Sequence, residues 1–400
     1  MSQPRTRQPD AVASHCPFMK APGLKRQTVF HQPSWRLASD RVEAFITCLG
    51  GHLAPVTFRT AAGPVQPFAI APWHGEKLPK GAPGVLKPLR GDFFCAPFGG
   101  GPRNWQGEKH PPHGETAEGT WRLLADESGP GHLVAEMKTR VRPGRVVKRV
   151  SLLPGETNVY LRHEFHGMRG PMSFGHHATL KFPETPGSGR LAFSPWKFGQ
   201  VCPEAFEDPA LGGYSALRFG ALIRDLRRVP LANGGTTDLT QYPARAGFED
   251  LVMISARTDA PYAWTSVTFP AERYVWFALK DPRVLASTVM WHSNGGRHYA
   301  PWSSRHRAVL GLEEVTSYFH LGLAASAAPN ALTRRGIKTA LRLDPRRPLI
   351  VPYIMAVAAI PRGFDVVRTI DFRGDHVVLR AASGQSVRHA VDLTFLHPAP

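Results

Sequence analysis

The chain has 400 residues, 42% of them hydrophobic and 20% charged, a composition that allows a large buried core and excludes a disordered protein. Lysine and arginine outnumber aspartate and glutamate by 49 to 31, giving a formal charge of +18. These basic residues are scattered, with only short groups such as Arg227-Arg228 and Arg334-Arg335, so the clustered face that a nucleic-acid backbone rewards is missing. An anionic small molecule is compatible with the charge, and no nucleic-acid partner is expected.

Glycine and proline number 38 each, and both punctuate strands and turns more often than helix interiors, which favours a β-rich, loop-rich chain. Cys16, Cys48, Cys95 and Cys202 are far apart and form no CxxC pair, so neither a zinc knuckle nor a disulfide framework is indicated. The first residues hold no apolar leader-like run, and the longest apolar stretch, from Leu349 to Ile360, is short and broken by Pro352. A cytoplasmic protein without a membrane anchor is expected; oligomeric state is not legible.

Residues 1–38, rich in Pro, Gln, Ser and basic residues, read as an irregular arm, and residues 39–400 as a single domain without an internal repeat. Order is expected from Arg41, where RVEAFITCLGGHLAPVTF forms two short strands broken at Gly50-Gly51 with Val42, Ala44, Ile46 and Cys48 on one face. The clearest hairpin turns at Pro154-Gly155, and its second strand alternates Val159, Leu161, His163 and Phe165 against Tyr160, Arg162, Glu164 and His166. Further strands are expected at 263–269, 274–279, 287–291, 349–358 and 365–372, with helical turns at 205–211 and 331–341. Many strands without βαβ alternation predict an all-β fold of antiparallel sheets packed face to face.

Polar and aromatic residues concentrate in three segments. In HPPHGETAEGTW, His110 and His113 accompany Glu115 and Glu118, a set that a metal could use, although a His-x-x-His spacing on a strand turns the rings apart. His176-His177 precedes a short apolar strand, so one ring must face inward. In AVLGLEEVTSYF, period two sets Val309, Gly311, Glu313 and Val315 on one face and Leu310, Leu312 and Glu314 on the other. One carboxylate must therefore enter the interior or a cleft, where it is paired or pKa-shifted as a general base would be. Trp291, Trp302, Tyr299 and Trp121 offer flat faces for stacking on a sugar ring, with Asn294, Arg297 and His298 as donors to hydroxyls.

The order of these segments across most of residues 41–372 resembles the galactose mutarotase-like superfamily, which includes the aldose 1-epimerases. It rests on a GGH-like strand, Arg90 before a Gly-rich turn, His113-Gly114 ahead of Trp121, the pair His176-His177, and Glu313 in GLEEVT. The resemblance implies a large antiparallel β-supersandwich that interconverts the anomers of a sugar, neutral or anionic, without metal or other cofactor. It makes Glu313 the base and His177 the acid, with Arg90 and His113 on the substrate. His176 stands where relatives carry Asn, and Asp250 is the counterpart for a substrate-binding Asp. Two other readings are a non-catalytic carbohydrate-binding protein with the same cleft and a cupin-type metalloenzyme built on His110, His113 and Glu118.

Overall fold

The computed structural model describes residues 24–397. Almost every element is a strand, and all strand pairs within the sheets are antiparallel. A nine-stranded sheet runs in the order Gln241–Tyr242, Gly189–Phe193, Ala263–Phe269, Tyr274–Lys280, Leu349–Ala359, Asn158–His166, Gly144–Ser151, His132–Thr139 and Arg122–Leu123. A second sheet has Trp196–Val201, Phe248–Ala256, Ser287–Asn294, Val309–Thr316, Phe174–His176 and Phe94–Cys95 in sequence, with Ala178–Lys181 also paired to Val309–Thr316.

The two sheets face each other across the largest apolar core, to which the first gives Leu161, Phe165, Tyr353 and Met355 and the second Met290, Leu310 and Leu312. What sits on the two outer faces explains why so many strands read as unbroken apolar runs. Three C-terminal strands, Val367–Arg373, His376–Ala381 and Ser386–Ala390, put Ile370, Val377 and Leu379 with Phe277, Ile354 and Ala356 on the outside of the nine-stranded sheet. On the outside of the second sheet, Leu251, Met253, Val289, Trp291 and Val315 pack under loops that carry Trp73, Leu86, Phe93 and Trp302. Strands buried on both faces lose the alternation that marks a half-exposed strand.

Several expected elements stand close to where they were read. The hairpin joins Gly144–Ser151 to Asn158–His166, and Val42, Ala44, Ile46 and Cys48 share a buried face. The arm is shorter than its composition suggested. Arg26–Val29 and Gln32–Ala38 are strands of a five-stranded sheet, with Trp35 and Leu37 buried, because the alternation inside QPSWRLA outweighs its proline. Residues 1–23, the rest of the expected arm, lie outside the described residues. The helical turns shrink to Pro209–Leu211 and Thr333–Arg335, and a short α-helix at Gly322–Ala327 was not anticipated. Among the described residues no helix is long and apolar enough to cross a membrane.

Candidate active site

The strand Val309–Thr316 decides which carboxylate faces which layer. Its partner Ser287–Asn294 pairs Val289 with Glu313 and Trp291 with Gly311, so Glu313 emerges on the outer face beside Trp291. Glu314 points the other way, between the sheets, where the Lys280 ammonium and the Thr265 and Thr288 hydroxyls hold its carboxylate. That pair spans both sheets and is 1–2% exposed, a position in which a charge must be paired to be tolerated.

Above the outer face lies a cavity of about 470 Å³. Leu251, Trp291 and Glu313 form its floor, the segment from Pro79 to Leu89 one side, Arg297 to Trp302 another, and His113, His177 and His320 project into it. His177 Nε2 lies 3.1 Å from Glu313 Oε1. The His177 ring stacks on Phe93 with centroids 4.5 Å apart, and its Nδ1 is 3.3 Å from the Thr179 hydroxyl. Burial drives Glu313 well above the ordinary carboxylate range and His177 well below the ordinary imidazole range. Both shifts favour the neutral form of the pair, a carboxylic acid beside a neutral imidazole with one proton between two sites.

His113 sits at φ +64°, and the next residue can only be glycine: a Cβ on Gly114 would meet the Ala96 carbonyl oxygen at 2.0 Å. This tight approach swings the His113 ring against that of His177, with centroids 5.1 Å apart, and sets its Nδ1 3.3 Å from Cys95 Sγ. Burial raises the Cys95 thiol well above its usual range, so it keeps its proton and can donate it to Nδ1. In the tautomer that accepts from the thiol, Nε2 is the N–H that His113 offers to the cavity. Burial also lowers His113 to about 3.

Arg297 is fixed as a cationic wall. Its guanidinium lies 4.4 Å over Trp302 and 5.4 Å over Trp291, and Nε donates to Glu207 Oε1 at 2.6 Å. Burial opposes its charge, but Glu207 and Glu249 outweigh that opposition and raise its pKa. Glu249, buried beneath the indole, accepts from Trp291 Nε1 at 2.9 Å, and desolvation pushes it up to about 7.

By sequence the chain matches no family model and no curated protein. By backbone it is similar to a candidate aldose 1-epimerase from Escherichia coli K12, with a TM-score of 0.57 and 13% identity over 82% of this chain and 99% of that one. A candidate mutarotase from Salmonella typhimurium gives 0.56 and 12%, over 85% and 95% of the two chains. A galactose mutarotase-like protein from Lactobacillus casei gives 0.53 and 10%, over 81% and 99%. The chain has the galactose mutarotase-like fold. At such identities the shared property is architecture, so chemistry has to be argued from side chains.

Within this mutarotase-like sandwich, Glu313, His177, His113, Arg297 and Trp302 converge on one cavity, joined by Trp291 and Tyr299. Three residues expected on the substrate stand elsewhere. Arg90 donates to the Pro88, Val29 and Phe30 carbonyls and so clamps the first strands of the chain. His176 faces the core, 2.9 Å from Asp92 and against Tyr353, since strand parity sends it opposite to His177. Asp250 pairs with Arg245 and accepts from the Ala216 and Leu217 amides.

The other proposed contacts divide in the same way. Trp121 is buried, with Nε1 on the Thr116 carbonyl, while Asn294 bridges Ala244 and Ala308, and His298 packs on Tyr214. The cupin-like set does not converge either: His110 bonds Glu108, Glu118 faces the Gly84 and Val85 amides, and His113 meets Cys95. Among the described residues no group of three or more His, Cys, Asp or Glu is arranged to hold a metal ion. Phe93, Cys95, Phe206, Glu207 and His320 also line or support the cavity and were not among the site residues expected from the sequence. GDFFC carried a weak signal, an aromatic and a thiol beside the Gly-rich turn, but nothing in the sequence ties Glu207 to Arg297 across the intervening 89 residues.

Proposed function

We propose that the cavity binds an aldose and that the protein interconverts its anomers by opening and reclosing the sugar ring. The single observation that carries this reading is the 3.1 Å contact between His177 and Glu313 at the floor of a cavity walled by Trp291, Trp302 and Arg297. In an aldose the anomeric hydroxyl and the ring oxygen are bonded to the same carbon, so an acid and a base that serve both must stand side by side.

The proton balance suits the reaction. A carboxylic acid beside a neutral imidazole holds as many protons as a carboxylate beside an imidazolium, and one transfer along the hydrogen bond converts the first into the second. From the charged form, Glu313 takes the anomeric hydroxyl proton while His177 gives its proton to the ring oxygen. The bond from C1 to the ring oxygen breaks as the C1 carbonyl forms. Rotation about C1–C2 presents the other face, and reversal of both transfers closes the ring with the pair restored. Burial makes the charged form costly in the resting site, and a bound sugar supplies the hydroxyls that offset this. Thr179 beside Nδ1 and Glu313 beside Nε2 give His177 partners on both nitrogens. His113 Nε2–H supports charge developing on sugar oxygen, and the indoles of Trp291 and Trp302 suit the C–H face of a pyranose.

Glu313→Gln separates this reading from that of a binding protein that keeps the cleft. The exchange of ring-closed anomers should fall by about 10² to 10⁴, the worth of one positioned acid or base, while the dissociation constant for the sugar changes by less than about tenfold. A variant that catalyses as well as wild type would remove Glu313 from the mechanism.

A further inference from the structure

A second depression, larger than the cleft and sharing no lining residue with it, opens where the edge of the nine-stranded sheet meets the loop before Val367–Arg373. Its volume is about 1190 Å³. The floor is the strand Gly189–Phe193 with the 224–227 and 238–241 turns, tied by bonds from the Leu191 amide to the Thr240 carbonyl and from the Leu239 amide to the Leu226 carbonyl. Four guanidinium side chains line it, those of Arg190, Arg224, Arg227 and Arg368. None of the four has an ion pair or a side-chain hydrogen bond among the described residues, so all four guanidiniums keep their donors for a ligand.

The three aspartates in the same wall make no ion pair with these arginines. Each is committed to a turn: Asp225 accepts from the Arg227 amide, Asp238 from the Thr240 amide and hydroxyl, and Asp365 from the Val366 and Ser383 amides. Half-buried Phe193 and Trp196 add aromatic faces beside the charges.

We infer that this groove is a binding site for an acidic oligosaccharide, a sugar chain bearing carboxylates among free hydroxyls. Unpaired guanidiniums match carboxylates bidentately, and aromatic faces match the C–H faces of sugar rings. The interleaved aspartates, each with lone pairs to spare, accept from the several free hydroxyls of each sugar ring, whereas a nucleic-acid chain offers at most one ribose hydroxyl per unit, which turns the choice away from single-stranded nucleic acid. The size of the groove, more than twice that of the cleft, calls for several linked rings. This inference stands apart from the proposed chemistry of Glu313 and His177.

The test is titration of the full chain with short oligogalacturonate, a neutral galactan oligomer of equal length and oligouridylate, for wild type, the Arg224→Ala/Arg368→Ala double variant and the cleft variant Arg297→Gln. Arg224 and Arg368 are exposed, and circular dichroism establishes that each variant is folded. The uronate oligomer should bind best and lose affinity with added salt. It should bind about tenfold more weakly to the double variant and unchanged to Arg297→Gln. The proposal is overturned by absence of binding, by equal affinity for the neutral oligomer, by preference for oligouridylate, or by undiminished binding to the double variant. Loss in Arg297→Gln alone, which removes the cationic wall of the cleft, would move the acidic chain to the cleft and equally overturn it.

Discussion

Cys95 shows how one side chain that need not touch a substrate can define what another presents to it. Its thiol, held protonated by burial 3.3 Å from His113 Nδ1, favours the tautomer with Nδ1 as acceptor and Nε2–H toward the cavity. Cys95→Ala releases that choice of tautomer. The expected result is a KM about fivefold higher, the equivalent of ~1 kcal/mol for one net hydrogen bond, with kcat less affected and Cys95→Ser restoring most of the loss. Nitrogen-15 chemical shifts of the His113 ring read the tautomer directly, and an unchanged spectrum in Cys95→Ala would deny the thiol this positioning role. At this scale the sequence was legible where a local rule applied. Period two separated Glu313 from Glu314 and required an inward ring at His176-His177. Both rings proved buried, on opposite faces, and parity alone could not say which one met the carboxylate. Arg90 was misassigned because the site of an arginine's donors depends on the chain around it, here the Val29 and Phe30 carbonyls some 60 residues earlier.

The strand Val309–Thr316 works as a two-sided element: one carboxylate serves the cavity and the next ties the two sheets through Lys280. Gly311, two residues before Glu313 on the same face, makes this possible. A Cβ there would lie 2.6 Å from Glu313 Oε1 and 3.1 Å from Trp291 Cβ. Gly311→Ala should leave the strand intact, since alanine costs less backbone entropy than glycine, but turn the carboxylate away from His177. Anomer exchange is then expected to fall by at least about tenfold with thermal unfolding little changed, as misplacement of a reacting group by ~1 Å can cost far more. Wild-type rates in Gly311→Ala would mean that the contact seen between Glu313 and His177 is not required. Strands such as Ala263–Phe269 were legible nearly to the residue from their β-branched and aromatic content. The helix Gly322–Ala327 was not, because one leucine among five small residues leaves no amphipathic period to read.

Across the whole molecule, burial of imidazoles has a consequence for stability. His52, His113 and His306 are lowered by burial to about 3, His320 and His389 to about 4, and His163, His177 and His292 well below their ordinary value. An unfolded chain takes up protons on these rings below about pH 6.5. The folded chain cannot, until the pH nears 3 to 4. Since the unfolded state then binds more protons, stability is fully present above pH 6.5 and lost as pH falls, by up to about 1.4 kcal/mol per unit for each ring. The urea midpoint should therefore drop steeply from pH 7.5 to 5, and a midpoint that holds steady would contradict neutral burial of the histidines. The antiparallel sandwich could be read from composition, strand density and turn signals, and the order Arg, HG, His, Glu pointed to the mutarotase-like architecture. The layers covering both outer faces could not, because they depend on contacts between distant parts of the chain such as Phe277 and Leu379.

The central claim is that Glu313 and His177 open and close a sugar ring. It is tested most directly by two-dimensional NMR exchange between α and β anomers, measured with the wild-type chain over a panel of neutral, phosphorylated and uronic aldoses. Accelerated exchange for at least one sugar, lost in Glu313→Gln, is the predicted result. Exchange at the uncatalysed rate for every sugar in the panel would contradict it.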